Sequence, residues 1–454
     1  MVNLLKKTNG GYENMSDTAM QRLTYLFDNG EFTEIGSLVK SSGVITAYGY
    51  VEGSPVYAFS QDVSVNSGAV GVTQAEKIAK VYDLASRTGV PVVGIYDSCG
   101  ADLNDGFGAL DAYGELLKRV SELSGVVPQI SVVAGVCAGC SAMMAAGADI
   151  VIAAKDAAIF TSPNSKISDL AENAAKNGTV SVTAENDEQA IKKARELAAK
   201  LPQNNLSPLP MYEFEESGEA FGANAAEQAK AICDADSITV LGEEYGKCAY
   251  TALATIGGST VGVCGTDISS GKLTDDDCSK LARFVRLCDA FAVPVITLVN
   301  TEGFEADDAA EMAGAVKSMT RLAHSYAEAT TVKLAVITGK AYGAAYIALA
   351  GKNANADMTF ALPNAVISPV DPLAAAEILR HDDLKGAEDT EAKRKELAAE
   401  YVEASASAVK AAEHGSIDAV TEAENVRSTL INALDIMSGK RISRLPKKHS
   451  NIPM

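Results

Sequence analysis

No tryptophan occurs among the 454 residues, and there are only four histidines. Those four, His324, His381, His414 and His449, stand away in sequence from the glycine turns described below, so nothing suggests a histidine-centred triad. Basic residues are also scarce: 39 Lys and Arg face 59 Asp and Glu, a formal net charge of -20. That field repels phosphate backbones and anionic lipid, which argues against a nucleic-acid partner and requires any polyanionic ligand to be held by local contacts. Phosphate loops of the Gly-x-x-x-x-Gly-Lys-Ser/Thr or strand-linked Gly-x-Gly-x-x-Gly type are missing. Met1 to Gly10 carries no signal-peptide pattern, so the eight cysteines are expected in a reducing cytoplasm rather than in a disulfide framework. The single Cys-x-x-Cys, Cys137 to Cys140, lacks the second pair a structural zinc site needs, and no metal is expected. Long apolar runs are missing too. The uncharged stretch from Leu123 to Ala148 is interrupted by Pro128, Gln129, Ser131, Gly135, Gly139 and Ser141, and it reads as buried strand, turn and helix.

What is present is enough apolar residue for large cores, 47% of the chain against 22% charged, at a length too great for one core. Two domains are therefore expected, and the sequence repeats itself in the same order in each half. Val90-Pro91-Val92-Val93 leads to Asp97-Ser98-Cys99-Gly100, Ile130-Ser131-Val132-Val133, Ala138-Gly139-Cys140, Ala148-Asp149 and Ser162-Pro163. Val293-Pro294-Val295-Ile296 leads to Asn300-Thr301-Glu302-Gly303, Leu334-Ala335-Val336-Ile337, Tyr342-Gly343-Ala344, Ala356-Asp357 and Ser368-Pro369. From the proline to Asp97 or Asn300 is six residues in both halves, and from the proline to Gly139 or Gly343 is 48 and 49. Each landmark strand is a short β-branched run that reaches small residues and then a helical segment, which predicts an α/β architecture in duplicate. The boundaries are read as 1–205 and 226–454, with a linker at 206–225 marked by Pro208, Pro210 and the acidic Glu213, Glu215 and Glu216. The helix before Pro202 has Asn186 as its cap and Ala190, Ile191, Ala194, Leu197, Ala198 and Leu201 as one apolar stripe. A charged helical stretch from Ala387 to about Glu413 has no counterpart in the first half and is expected to pack against a neighbouring domain or subunit.

The chemistry is sought in the two small-residue turns, Ala138-Gly139-Cys140-Ser141-Ala142 and Tyr342-Gly343-Ala344-Ala345-Tyr346. Small side chains let a ligand approach the backbone, and N–H groups at a helix start can stabilise a developing oxyanion without acid or base side chains. Close helix–strand packing favours the same residues, so composition alone leaves both readings open.

At these positions the sequence resembles the biotin-dependent carboxyltransferase family, whose two domains share a crotonase-like fold. The resemblance runs from about Gln21 to the C-terminus. It rests on Leu26-Phe27-Asp28 with Phe32-Thr33-Glu34, Asp97-Ser98 with Gly100-Ala101, Pro128-Gln129-Ile130-Ser131 and Cys137-Ala138-Gly139. In the second half it rests on Ala282-Arg283-Phe284-Val285-Arg286, Cys288-Asp289-Ala290-Phe291, Gly303-Phe304, Lys340-Ala341-Tyr342-Gly343 and Lys447-Lys448-His449. The resemblance implies that carboxybiotin releases CO2, that biotin takes the α-proton of an acyl-CoA, and that the enolate attacks the CO2. It assigns the N–H groups of Gly139 and Cys140 to the thioester enolate and those of Ala344 and Ala345 to the ureido oxygen of biotin. It places Ala138, Gly343, Tyr342, Tyr346, Ser67 and Gly68 at the binding surfaces and Ile347 at the acyl pocket.

The implied partners are a biotin carboxyl carrier protein and either biotin carboxylase or membrane decarboxylase subunits, through which the chain would sit peripheral to a membrane. Biotin is expected on that separate protein, because no Met-Lys-Met-like hairpin occurs here. A homo-oligomer is expected, with the first half of one chain facing the second half of its neighbour. The pattern departs from the family at Cys140 and Ala344, where a second Gly is common, at Asp102 for Arg, at Ser67-Gly68 for Gly-Gly, and at Glu302 for Pro. The loop after Ser162-Pro163 is shorter and lacks the family's His. These departures keep a second reading in view, a catalytically weakened paralog serving as a structural subunit. A crotonase-type hydratase is disfavoured, since no Glu pair flanks the first turn.

Overall fold

The computed structural model describes residues 19–39, 43–162, 170–442 and 445–453. The segment Met1 to Gly10, Pro163 and the short loop following it lie outside the described residues. The chain forms two compact units, Met1–Pro210 and Met211–Met454.

The first unit contains strands β1 (Phe32–Ile35), β2 (Val44–Val51), β3 (Ser54–Gln61), β4 (Val92–Ser98), β5 (Gln129–Ala138), β6 (Ile150–Ala154), β7 (Ala158–Phe160) and β8 (Val182–Ala184). They form one sheet in the order β1-β2-β3-β4-β5-β6-β8, with β7 paired beside β5. The first three strands are antiparallel, and every pairing from β3 onward is parallel. Strands β4, β5 and β6 are buried along their whole length, as parallel strands covered on both faces must be. The stretch from Leu123 to Ala148 accordingly resolves into β5, the Gly139 corner and the helix Cys140–Ala146. Among the described residues no helix is long and apolar enough to cross a membrane.

The second unit repeats the plan with β9 (Thr239–Val240), β10 (Ala249–Ile256), β11 (Ser259–Thr266), β12 (Val295–Thr301), β13 (Lys333–Tyr342), β14 (Met358–Ala361), β15 (Val366–Ser368) and β16 (Ala419–Val420). Its order is β9-β10-β11-β12-β13-β14-β16, with β15 beside β13. The repeat extends to single hydrogen bonds. The β4/β5 register breaks between Tyr96 and Ser98, and the β12/β13 register between Val299 and Thr301. In each break one side chain bridges the gap: Asp97 Oδ1 accepts from Val136 N–H at 3.1 Å, and Asn300 Oδ1 from Lys340 N–H at 3.0 Å. A Cβ on the facing Gly135 or Gly339 would overlap that oxygen, at 2.4 and 2.3 Å, which is why both are glycine. The Ala-Asp landmarks are explained likewise. Asp149 accepts from Gln129 N–H at 2.9 Å and Asp357 from Lys333 N–H at 2.8 Å, holding the entry of β5 and of β13. The halves differ at the bridge: Asp97 is buried with Arg22 at 2.9 Å, and burial pushes its carboxyl up while the guanidinium opposes that rise. Asn300 needs no such partner.

The helix Asp187–Lys200 forms as the pattern indicates, with the Asn186 side chain accepting from Gln189 N–H and Ala190, Ile191, Ala194, Leu197 and Ala198 all buried. Two expectations need amendment. The segment read as linker is partly pinned to the second unit, since Met211 bridges Ser259, Tyr212 N–H donates to Gly258 O at 2.9 Å and Glu216 bridges Asp234. The stretch from Ala387 is not one helix. Thr390–Tyr401 passes into a π-helical turn at Val402–Ala406 and then into a separate helix, Ala408–His414, because Ser407 turns to extended backbone to bridge Val366, the first residue of β15.

Candidate active site

Both candidate turns arise where a buried parallel strand passes directly into a short helix. In the first unit Gly139 makes the corner between β5 and the helix Cys140–Ala146, at φ +57 and ψ −118. A side-chain-bearing residue held in such a region costs of order 1–3 kcal/mol. Among the described residues the nearest non-neighbouring atom to a Cβ there would be Thr161 O at 3.9 Å, so the demand for glycine comes from the backbone angle. Gly343 makes the matching corner at φ +51, between β13 and the helix Gly343–Leu349, where a Cβ would come within 2.9 Å of Pro369 O. The first turn of each helix leaves its leading N–H groups without acceptors inside the helix.

The first corner gathers residues distant in sequence. Asn66, Ser67 and Gly68 take successive left-handed φ values of 47°, 54° and 65°. Gly68 lies so close to β4 that a Cβ would stand 2.1 Å from Asp97 O. Ser67 O accepts from Cys99 N–H at 3.0 Å, and a Cβ on Gly100 would sit 3.1 Å from Ala138 O. Ser67 and Gly68, Asp97 to Gly100 and Ala138 to Cys140 thus form one corner. One donor does not fit. Gly139 N–H donates to Phe160 O at 2.9 Å, continuing the parallel pairing of β5 with β7, and is unavailable to a ligand. The leading helical N–H groups are those of Cys140 and Ser141.

At the second corner Tyr342 is buried, Ala344 exposed and Ala345 buried, while Ile347 is 54% exposed and open to a ligand. Tyr346 does not face the corner with its hydroxyl, which donates to Ser416 O at 2.7 Å. His414, remote in sequence, reaches the same support through Ser416 Oγ at 2.9 Å. Burial pushes the Cys99 and Cys137 thiols up, assisted by Asp97, and the Tyr342 phenol is pushed up to about 12 by burial and then by Asp371 and Glu302.

The carboxyl transferase domain family matches residues 11–452. The chain belongs to that family. This carboxyltransferase is 33% identical over 481 residues to the methylmalonyl-CoA decarboxylase subunit alpha of Propionigenium modestum, covering 96% of this chain and 93% of that relative. It is 32% identical over 481 residues to the propionyl-CoA carboxylase carboxyltransferase subunit of Haloferax mediterranei, with coverage of 96% and 93%. Among solved structures it matches transcarboxylase 12S, a hexamer with hydrolysed methylmalonyl-coenzyme A bound, at a TM-score of 0.92 and 29% identity, over 100% of this chain and 95% of that one. The crotonase-type fold of both units follows from that match.

One feature of the carboxyltransferase corner escapes pattern reading. Tyr113 Oη lies 2.5 Å from Ser141 Oγ, Ser141 Oγ donates to Ser98 Oγ at 2.9 Å, and Ser98 Oγ accepts from Gly100 N–H at 3.1 Å. This buried chain ties the helix Phe107–Leu123, the helix after Gly139 and the end of β4 together. In the second unit Thr301 Oγ1 accepts from Gly303 N–H at 3.1 Å, but Ala345 stands where Ser141 stands and the chain stops. Ser141→Ala therefore leaves two buried hydroxyls short of a partner and should cost about 1–3 kcal/mol, visible in a melting curve. Unchanged stability would show the chain to be incidental.

Proposed function

We propose that this chain is the carboxyltransferase subunit of a biotin-dependent acyl-CoA carboxylase or decarboxylase, acting on a short acyl-CoA. The observation that carries the reading is the pair of left-handed glycine corners, each presenting helix-start N–H groups. Such a site stabilises an oxyanion and must receive its base from outside. Biotin, when bound, supplies both the carboxyl carrier and that base. The residues here fit this role because they offer backbone donors at open glycine corners.

In the first unit Cys140 N–H, joined by Ser141 N–H in place of the engaged Gly139, holds the thioester oxygen as charge develops on it. One such donor is worth about 3 kcal/mol in the transition state. In the second unit Ala344 and Ala345 N–H groups receive the ureido oxygen, Tyr342 remains a neutral phenol beside them, and Ile347 limits the acyl pocket. Biotin arrives on a separate carrier protein, and the chain works in a homo-oligomer in which the first unit of one copy serves the second unit of another. An avidin blot of the purified chain and its mass by light scattering check these two points; covalent biotin or a monomer at micromolar protein would count against them. A purely structural subunit has no need of two glycine corners presenting open helix-start N–H groups at matching positions, which favours the enzyme.

The variant Cys140→Gly separates backbone from side-chain chemistry. It keeps the N–H and removes the thiol, so decarboxylation of methylmalonyl-CoA with free biotin should stay within about twofold of wild type or rise. A loss of tenfold or more would place the thiol in the chemistry.

A further inference from the structure

Resting on that reading, we propose that Lys340 is a carboxylate-binding residue of the second corner, exchanging Glu302 for the carboxylate of a carboxylated ligand. Lys340 lies near the C-terminal end of β13, three residues before Gly343. Its backbone is fixed, because its N–H is held by Asn300 Oδ1 at 3.0 Å and the preceding Gly339 is packed against the same side chain. Along a strand Lys340 and Tyr342 point to the same face. The Glu302 carboxylate belongs to that face as well, since it meets Lys340 Nζ at 2.7 Å and acts electrostatically on the Tyr342 phenol. A cation, its counter-charge and a neutral hydroxyl therefore stand together on the strand face that runs to Gly343.

The pair suits exchange rather than support. Its side chains are 41% and 39% exposed, so both charges keep water, and a half-open ion pair holds little net free energy against replacement of one carboxylate by another. Two buried lysines of this unit are committed instead. Lys280 Nζ donates to Tyr245, Gly246 and Ala249 oxygens at 2.9, 3.2 and 2.6 Å, and Lys333 Nζ to Tyr326 and Ala329 oxygens at 2.6 and 2.9 Å, all with buried ammonium groups. The first unit offers a further contrast. Val136 takes the place of Lys340 below the Asp97 bridge, and Cys99 the place of Glu302, so that half has no exchangeable pair at this position. A carboxylate bound at Lys340 would be held on the strand face that runs to Gly343, and its arrival would return Glu302 to water.

The test compares free N-carboxybiotin with uncarboxylated biotin on the full chain, following carboxylation of propionyl-CoA and, separately, inhibition by biotin. Lys340→Gln should raise KM for carboxybiotin about tenfold while leaving kcat within twofold and the inhibition constant of biotin unchanged. Lys340→Arg should restore most of the affinity, and Glu302→Gln, which removes the competing charge, should lower KM severalfold. A melting curve confirms folding of each variant, since the pair is half-exposed. Equal effects of Lys340→Gln on biotin and carboxybiotin, or none on either, would overturn the assignment while the reading of the corners stands. Wild-type protein without turnover would remove that reading and this inference with it.

Discussion

Gly139→Val should lower carboxyl transfer by about a hundredfold or more while the protein stays folded. The residue sits at φ +57, where a β-branched side chain is strongly disfavoured, so the corner must rotate toward ordinary backbone angles. Rotation displaces the Cys140 N–H that follows, and loss of one oxyanion donor lowers turnover by roughly two to three orders of magnitude. Stability should fall by only about 1–3 kcal/mol, because among the described residues the nearest non-neighbouring atom to a Cβ at this point is Thr161 O at 3.9 Å. Turnover with methylmalonyl-CoA and free biotin, read beside a melting curve, separates the two effects. A folded, fully active Gly139→Val protein would remove the oxyanion assignment and favour a structural role.

Gly343→Val should be as damaging to transfer but different in kind. Here the backbone angle, φ +51, and a close approach act together, since a Cβ would stand 2.9 Å from Pro369 O on the chain leaving β15. Either the helix Gly343–Leu349 or the Ser368–Pro369 segment must shift, so the Ala344 and Ala345 N–H groups move with it. Transfer to or from biotin should fall by about a hundredfold, as for one lost donor. Binding of propionyl-CoA, measured by calorimetry, should fall far less than transfer, because the thioester is assigned to the first unit and only Ile347 of the acyl pocket lies on the displaced helix. Equal losses of acyl-CoA binding and biotin-dependent turnover would contradict that division of labour.

The duplication is legible in the sequence because its landmarks are the residues that close the β4/β5 and β12/β13 breaks and cap the entries of β5 and β13. Asp97 and Asn300, and Asp149 and Asp357, each perform one local task twice, and such tasks fix spacing. The two glycine corners are legible for the same reason. What stays hidden depends on contacts that no local pattern encodes. The engagement of Gly139 N–H is set by β7, a strand of three half-buried residues with no periodicity to read. The Tyr113, Ser141 and Ser98 chain joins three elements, and each hydroxyl alone is an ordinary buried polar residue. The break at Ser407 reflects a bridge to Val366, more than forty residues earlier, which overrides the helical preference of the charged stretch around it. The pinning of Met211 and Tyr212 to the β10–β11 hairpin is likewise tertiary, and the composition of the segment gives no sign of it.

The most direct measurement follows a labelled carboxyl group. Methylmalonyl-CoA carrying the label in its free carboxyl is incubated with the purified chain, with and without free biotin, and label is sought in acid-labile carboxybiotin. Label should move from the CoA thioester to biotin, with propionyl-CoA formed in step and no decarboxylation above background when biotin is omitted. Loss of the labelled carboxyl at the same rate without biotin, or tight binding of methylmalonyl-CoA with no transfer in its presence, would contradict the account.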